Sequence, residues 1–181
     1  MGRRVLLREP YEDDAGALFH HTSDPEVTRY LAFDPPTHID ETRLFIERCC
    51  EHRLQDREYT FVIADVATDE PLGVIALRHL DPPMGTAQIG TWIARPLWST
   101  GVNVEAKQLL LDYAFGPLGL HRVEARIVPD NHRSCRAFEK LGARREGTLR
   151  ESFAKGGRYY DTYLYSILGR DWIGRQAACG Q

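Results

Sequence analysis

The hydrophobic period changes along this chain, and that change limits the folds it can reach. Residues 59–66, 72–77 and 87–94 are three runs of β-forming character. Turn clusters divide them, Thr68-Asp69-Glu70-Pro71 and Asp81-Pro82-Pro83-Met84-Gly85. Runs of β-formers bounded by Pro, Gly and Asp read as a meander. A loop at 95–101 follows. From Val102 the apolar residues move to helical spacing, with Val102, Ala106, Leu109, Leu110, Tyr113 and Ala114 on one side, until Gly116-Pro117 ends the pattern. A sheet that runs straight into an amphipathic helix must bury one against the other, so the chain is a mixed α/β layer fold.

The flanking segments extend this layout. Val5-Leu6-Leu7 reads as an opening strand, and 11–23 as a helix with Glu12, Asp13 and Asp14 in its first turn, where the dipole favours acids. Asp24-Pro25 and Asp34-Pro35-Pro36 are breaks, and Asp40 is placed to cap a helix reaching about Leu54. Residues 122–128 form a strand. A helix over 131–141 stops at Gly142. Residues 143–153 and 159–168, joined by Gly156-Gly157, form a closing hairpin. The expectation is a central sheet of about seven strands, mostly antiparallel, with helices on both faces. It forms one domain over 1–174, with a frayed tail at 175–181.

With 181 residues and 43% hydrophobic content, the chain can build a core without staples. No run of 18 apolar residues exists, so no membrane span is expected. The N-terminus lacks the apolar stretch of a signal peptide, and Leu7 fills the position where N-myristoylation needs Ser or Thr. The 23 basic residues are outnumbered by 26 acidic ones, which argues against a general nucleic-acid binder. Cys49, Cys50, Cys135 and Cys179 include no CxxC pair, so a reduced, cytoplasmic chain is expected. The seven histidines show no metal-ligand spacing, and no metal is expected.

The segment that carries chemistry runs from Ile89 to Phe115. A helix start has four backbone N–H groups without partners and a partial positive charge, and a glycine lets an anion approach the main chain. Ser99, Thr100, Gly101, Val102, Asn103 and Val104 could wrap a diphosphate. The plain alternative is a well-capped helix. Neither GxxxxGK[ST] nor GxGxxG is present, which removes the P-loop and the Rossmann fingerprint.

The order of elements and several short stretches resemble the GNAT superfamily of acetyl-CoA-dependent N-acetyltransferases, in particular its RimJ/RimL-type branch of ribosomal-protein N-terminal acetyltransferases. The stretches are Trp92-Ile93, Trp98-Ser99-Thr100-Gly101-Val102-Asn103-Val104-Glu105-Ala106, Tyr113-Ala114-Phe115, Asn131-His132-Arg133-Ser134, Leu141-Gly142-Ala143, Glu146-Gly147-Thr148-Leu149-Arg150, and Asp161 with Tyr165-Ser166-Ile167-Leu168 and Trp172. They cover the chain from about Val5 to Trp172. The family's loop is Q/R-x-x-G-x-G/A. Here Trp98 stands at the first anchor, Gly101 at the second and Asn103 at the third, so two of three anchors differ. The resemblance implies acetyl-CoA as co-substrate, held by Ile93, Ala94, 98–104, Asn131 and Ser134. Arg95 and Lys107 flank the loop, either to pair with the phosphates or as solvated surface cations.

It also implies direct attack of a primary amine on the thioester in a ternary complex. The family donates to the developing oxyanion from the strand at 88–94, which points to the Ile93 N–H, with Ala94 against the pantetheine. The family's Tyr acid falls at Phe138 here, and the preceding small position at Ser134. A hydroxyl one turn earlier on the same face makes Ser134 the candidate donor to the leaving thiolate, with Asn131 holding the pantetheine or capping the helix. The plain reading of Ser134 is a hydroxyl bonded to its own backbone. The family's Glu base is Gln88 here, which leaves Glu58, His79, Asp161 or a water chain. Cys135 reads as a small buried residue. Trp92 and Trp98 read as packing around the cofactor groove. The acceptor is a protein N-terminal amine, or alternatively a polyamine, an amino acid or an aminoglycoside. The acids Asp34, Asp40 and Glu41 lean towards a cationic acceptor. Phe138 and Gln88 favour a third reading, a silent acyl-CoA sensor. The family's habit points to a homodimer.

Overall fold

A computed structural model describes residues 2–179. Seven strands form one sheet: β1 (Val5–Arg8), β2 (Tyr59–Asp65), β3 (Pro71–Asp81), β4 (Thr86–Ile93), β5 (Arg122–Ile127), β6 (Arg144–Lys155) and β7 (Arg158–Leu168). Their order is β1-β2-β3-β4-β5-β7-β6, and only β4 and β5 run parallel. The helices are α1 (Ala15–Thr22), α2 (Pro25–Thr28), α3 (Ile39–Leu54), α4 (Val102–Phe115), α5 (His132–Lys140) and α6 (Gly169–Cys179). The expected seven-stranded mixed fold is what the chain adopts.

Successive residues of a strand face opposite sides, and β2 and β3 are apolar on both. Val62, Ala64 and Val74 pack with Ala15, Leu18 and Ile46 under α1 and α3. Ile63, Ile75 and Leu77 point the other way, into the larger core beneath α4 that includes Ala106, Leu110, Leu111, Ala114, Phe138 and Tyr165. Helices therefore cover both faces. None of them is long and apolar enough to cross a membrane among the described residues.

Three local expectations are corrected. The segment 11–23 is not one helix: a 3-10 turn at Glu12–Asp14 precedes α1. Asp14 is buried, accepts from the Tyr11 N–H (2.7 Å) and takes both Arg8 terminal nitrogens at 2.8 Å, which holds that turn tight. Helix α3 starts at Ile39 with His38 as its cap, not Asp40. The Glu41 carboxylate accepts from the Thr37 and His38 N–H groups, so the acid inside the first turn fixes the start. Finally, α6 has no counterpart in the sequence reading. Two glycines weaken its propensity, yet it docks through Trp172, buried and donating to Asp112 Oδ1 at 2.8 Å. Of the expected tail, residues 180 and 181 lie outside the described residues.

Candidate active site

Parallel pairing of β4 and β5 lasts three residues, Thr86–Gln88 against Arg122–Glu124. Beyond Gln88 the strands part, because β4 stays on β3 up to Ile93↔Gly73 while β5 follows β7 up to Ile127↔Tyr163. The Ala94 N–H donates to the Leu72 carbonyl at 2.8 Å. Alternation along an antiparallel pair then turns the Ile93 and Thr91 N–H groups away from β3, towards the opening. The Ile93 carbonyl points the same way and accepts from Trp98 Nε1 at 3.0 Å.

The loop after β4 turns on two left-handed residues, Ser99 (φ 65°) and Gly101 (φ 92°). Gly101 caps α4, and a Cβ there would sit 3.1 Å from Arg4 Nη2. Arg4 reaches in from the N-terminus, donating to the Thr100 carbonyl at 2.8 Å and to Glu105 Oε2 at 3.0 Å. Glu105 also accepts from the Arg4 N–H at 2.8 Å. Burial pushes the Glu105 carboxyl up, but these hydrogen bonds outweigh it and hold the group below its ordinary value. The N-terminus of the chain thus staples the loop, leaving the first-turn N–H groups of α4 directed at the cleft.

A cleft of about 440 Å³ opens over this helix start. Ile93, Trp98, Ser99, Thr100, Gly101 and Asn103 line it, together with Val104, Asn131 and Ser134. Nine of the eleven residues expected at the cofactor site are therefore brought together. Ala94 and Val102 are not: both are buried behind the lining, and the Ala94 N–H is spent in the sheet. Asn131 caps α5, its Oδ1 accepting from the Ser134 N–H at 3.3 Å. No hydrogen bond of the half-buried Ser134 hydroxyl is found among the described residues.

A second cavity, of about 330 Å³, lies across the parted strands. Tyr30, Leu31, Thr91, Asn131 and Ser134 line both spaces. That shared seam is where a thioester reached from one side and an amine from the other would meet. Gln88, His79, Arg78, Arg126 and Phe138 line the second cavity.

Several expected roles do not survive this geometry. Arg95 is exposed and pairs with Asp24 at 3.3 Å. Lys107 does not flank the loop on the surface; it is fully buried, donates to Asn103 Oδ1 and lies over the Phe138 ring at 5.2 Å. Asp161 is spent on the Glu151 N–H at 2.9 Å within the closing hairpin. Glu58 accepts from Thr60 Oγ1 at 2.8 Å and Arg78 Nε at 3.2 Å. Cys135, by contrast, is the small buried residue expected of it, and burial raises its thiol pKa, which keeps it protonated and non-nucleophilic.

Sequence reasoning missed one group outright. Arg133, Arg136 and Lys140 recur at i, i+3 and i+7 on α5, and all three line the cleft. Arg133 stacks its guanidinium 3.5 Å from the Trp98 ring centre. Their spacing marks one helix face and is visible in the sequence. Tyr30 was missed as well, because nothing local ties its loop to the sheet opening. The residues present suit an acyl-CoA: the start of α4 and three cations line one cleft, and a strand N–H turned away from β3 faces its inner end.

Comparison with known proteins agrees. The model of the acetyltransferase (GNAT) domain matches residues 4–144. YdaF of Bacillus subtilis (strain 168), which its name ties to ribosomal N-acetylation, is 35% identical over 174 residues, spanning 95% of this chain and 94% of its own. The spermidine N(1)-acetyltransferase of Vibrio cholerae is 25% identical over 175 residues, 97% of this chain and 99% of that protein. The crystal structure of a GNAT-family acetyltransferase from Bacillus anthracis superposes with a TM-score of 0.84 at 28% identity, covering 94% of this chain and 98% of that one.

Proposed function

Because the chain belongs to the GNAT acetyltransferase family, and is thereby an acetyl-CoA-dependent N-acyltransferase, we propose that its acceptor is the amine of a peptide or protein N-terminus. One observation carries the choice. Among the described residues, no carboxylate lines the acceptor-side cavity, whose charged side chains are those of Arg78 and Arg126. A polyamine needs acids along its length to replace the water around each ammonium. The acids that favoured such an acceptor in the sequence are engaged: Asp34 pairs with Lys155 at 2.7 Å, Asp40 pairs with Arg43 at 2.8 Å, and Glu41 caps α3. A peptide presents one amine followed by carbonyls, which accept hydrogen bonds from arginine donors.

The chain's residues divide the work. The first turn of α4 and the cations of α5 hold the diphosphate of acetyl-CoA, and the Trp98–Ile93 hydrogen bond fixes the end of β4. The Ile93 N–H donates to the oxygen that gains charge as the amine attacks, an interaction that strengthens towards the transition state. Holding both reactants on the shared seam supplies several kcal/mol of the rate. The Ser134 hydroxyl donates to the departing sulfur. With Gln88 in place of an acid, Glu58 bonded to Arg78 and Asp161 engaged in the hairpin, the amine loses its proton to water in the acceptor cavity or to the His79 imidazole that lines it.

We place the reaction in the cytoplasm. Among the described residues Cys49, Cys50 and Cys135 are free thiols, the usage of a reducing compartment.

The test is coenzyme A release from acetyl-CoA against peptides of varied N-terminal residue, spermidine, single amino acids and an aminoglycoside. Release with peptides well above the others is expected. Faster release with spermidine would reassign the acceptor, and tight binding of coenzyme A without release from any acceptor would make the chain a sensor.

A further inference from the structure

Lys107 is a cation without a counter-charge in the core. Its relative exposure is zero, and it makes no ion pair among the described residues. The carboxylates on α4 and on the elements packed against it are engaged: Glu105 with Arg4, Asp112 with Trp172, Glu139 with the Tyr165 hydroxyl, Glu124 with Arg122 and Asp81, at the end of β3, with the Met84 N–H. Of the remaining charged or titratable groups, Arg8 on β1 is held by Asp14 and Arg78 on β3 by Glu58. Asp171 on α6 is held by Arg170, Cys135 is a buried thiol, and Arg133, Arg136 and Lys140 face the cleft. What Lys107 does touch is Asn103 Oδ1 and the face of Phe138. An ammonium only donates, so the Asn103 atom facing it is the carbonyl oxygen, and the amide NH₂ is turned the other way. Asn103 is part of the cleft wall.

We propose that Lys107 is a positioning residue for the cofactor diphosphate: from behind the wall it holds the Asn103 carboxamide with its NH₂ towards the cleft, and its buried charge is balanced when the anion binds. The proposal rests on the reading that the loop at 98–104 receives the diphosphate. It also explains the departure at the family's third loop anchor, where a small residue gives way to Asn103: the side chain becomes a donor in a place where the family relies on main chain.

Burial without a counter-charge brings Lys107 down to about 7 in the empty protein. A diphosphate arriving one side chain away favours the charged form, so binding takes up a proton. Titration calorimetry with 3′-dephospho-coenzyme A at pH 7, in two buffers of different ionisation enthalpy, reads that uptake. This probe has no phosphomonoester to confuse the count. Wild type should take up about half a proton, given a group near pH 7. Lys107→Met should take up none and bind about tenfold more weakly, the scale of a lost charged hydrogen bond. Should that variant not fold, Asn103→Ala keeps the ammonium and removes the relay, and it too should bind about tenfold more weakly. Wild-type affinity in Asn103→Ala, or binding without proton uptake in wild type, overturns the proposal. Absence of any binding would instead remove the reading of the loop on which it rests.

Discussion

Two side chains, Ser134 at the seam and Lys107 behind the cleft wall, make claims that single substitutions can settle. Ser134 ends on a hydroxyl that lines both cavities and has no hydrogen-bond partner among the described residues. If it donates to the leaving sulfur, Ser134→Ala should lower kcat by about 10²-fold, the low end for proton transfer by a placed group, and leave KM for acetyl-CoA unchanged. Steady-state kinetics at saturating peptide reads both; an unchanged kcat removes the role. Lys107 makes a claim about stability. Its folded pKa, about 7, lies below its unfolded value of 10.5. As pH falls from about 10.5 to 7 the unfolded chain takes up a proton that the folded chain resists, so stability declines across that window and levels off below it. The steepest slope is about 1.4 kcal/mol per pH unit from one such group. Denaturant unfolding from pH 7 to 10 should show this rise in wild type and a flatter profile in Lys107→Met. Parallel profiles would mean that Lys107 does not titrate as its burial implies.

At the scale of elements, the sheet edge depends on one arginine. Arg122 on β5 donates to Glu124 at 2.8 Å and to both oxygens of Glu146 on β6 at 2.8 and 2.5 Å, reaching past β7, whose Ser166 hydroxyl donates to the same Glu146 at 2.7 Å. Arg122 and Ser166 together lower Glu146 to about 2. Its contribution is present above the ordinary carboxylate range, near 4.5, and is lost as pH falls through about 2. Glu146 is partly exposed, so solvent screening reduces the effect to about 1 kcal/mol. Glu146→Gln should melt a few degrees lower than wild type at pH 6. The gap should close near pH 2, and a gap that persists there would assign the effect to packing.

This clamp also shows what a sequence exposes and what it hides. The strands, α4 and α5 announce themselves through period and through Gly and Pro at their ends, because those signals are local. The loop at 98–104 could be placed for the same reason: strand, glycine and helix start are contiguous. Contacts made at long range leave no such trace. Arg4 on Thr100, Trp172 on Asp112, and Tyr30 at the seam each join residues far apart in the chain. Lys107 looked like a surface cation because helical residues at i and i+4 share a face wherever that face points. Only packing decides that this one points inward. Glu41 displaced Asp40 at the start of α3 because a carboxylate inside the first turn reached two free N–H groups at once.

Across the whole molecule the charge is uneven, and the unevenness bears on how the co-substrate arrives. The chain carries a net −3, yet the cleft is lined by Arg133, Arg136 and Lys140, with Arg4 beside its mouth. A polyanion such as acetyl-CoA is repelled by the average of this surface and drawn in by one part of it, which orients the approach as well as strengthening it. Such attraction acts through solvent and fades with salt, since the screening length falls from about 30 Å at 0.01 M to about 3 Å at 1 M ionic strength. The main-chain donors of α4 act at contact and are screened far less. KM for acetyl-CoA should therefore rise several-fold between about 0.02 and 0.5 M salt, with kcat steady, because only encounter and ground-state binding are screened. Reversing the two outer cations, Arg136→Glu with Lys140→Glu, should raise KM at low salt and flatten its salt dependence. Arg133, held against Trp98, is left in place so that the fold of the loop is not altered. A salt-independent KM in wild type would mean that contact donors alone hold the co-substrate, and that the basic face of α5 serves another purpose.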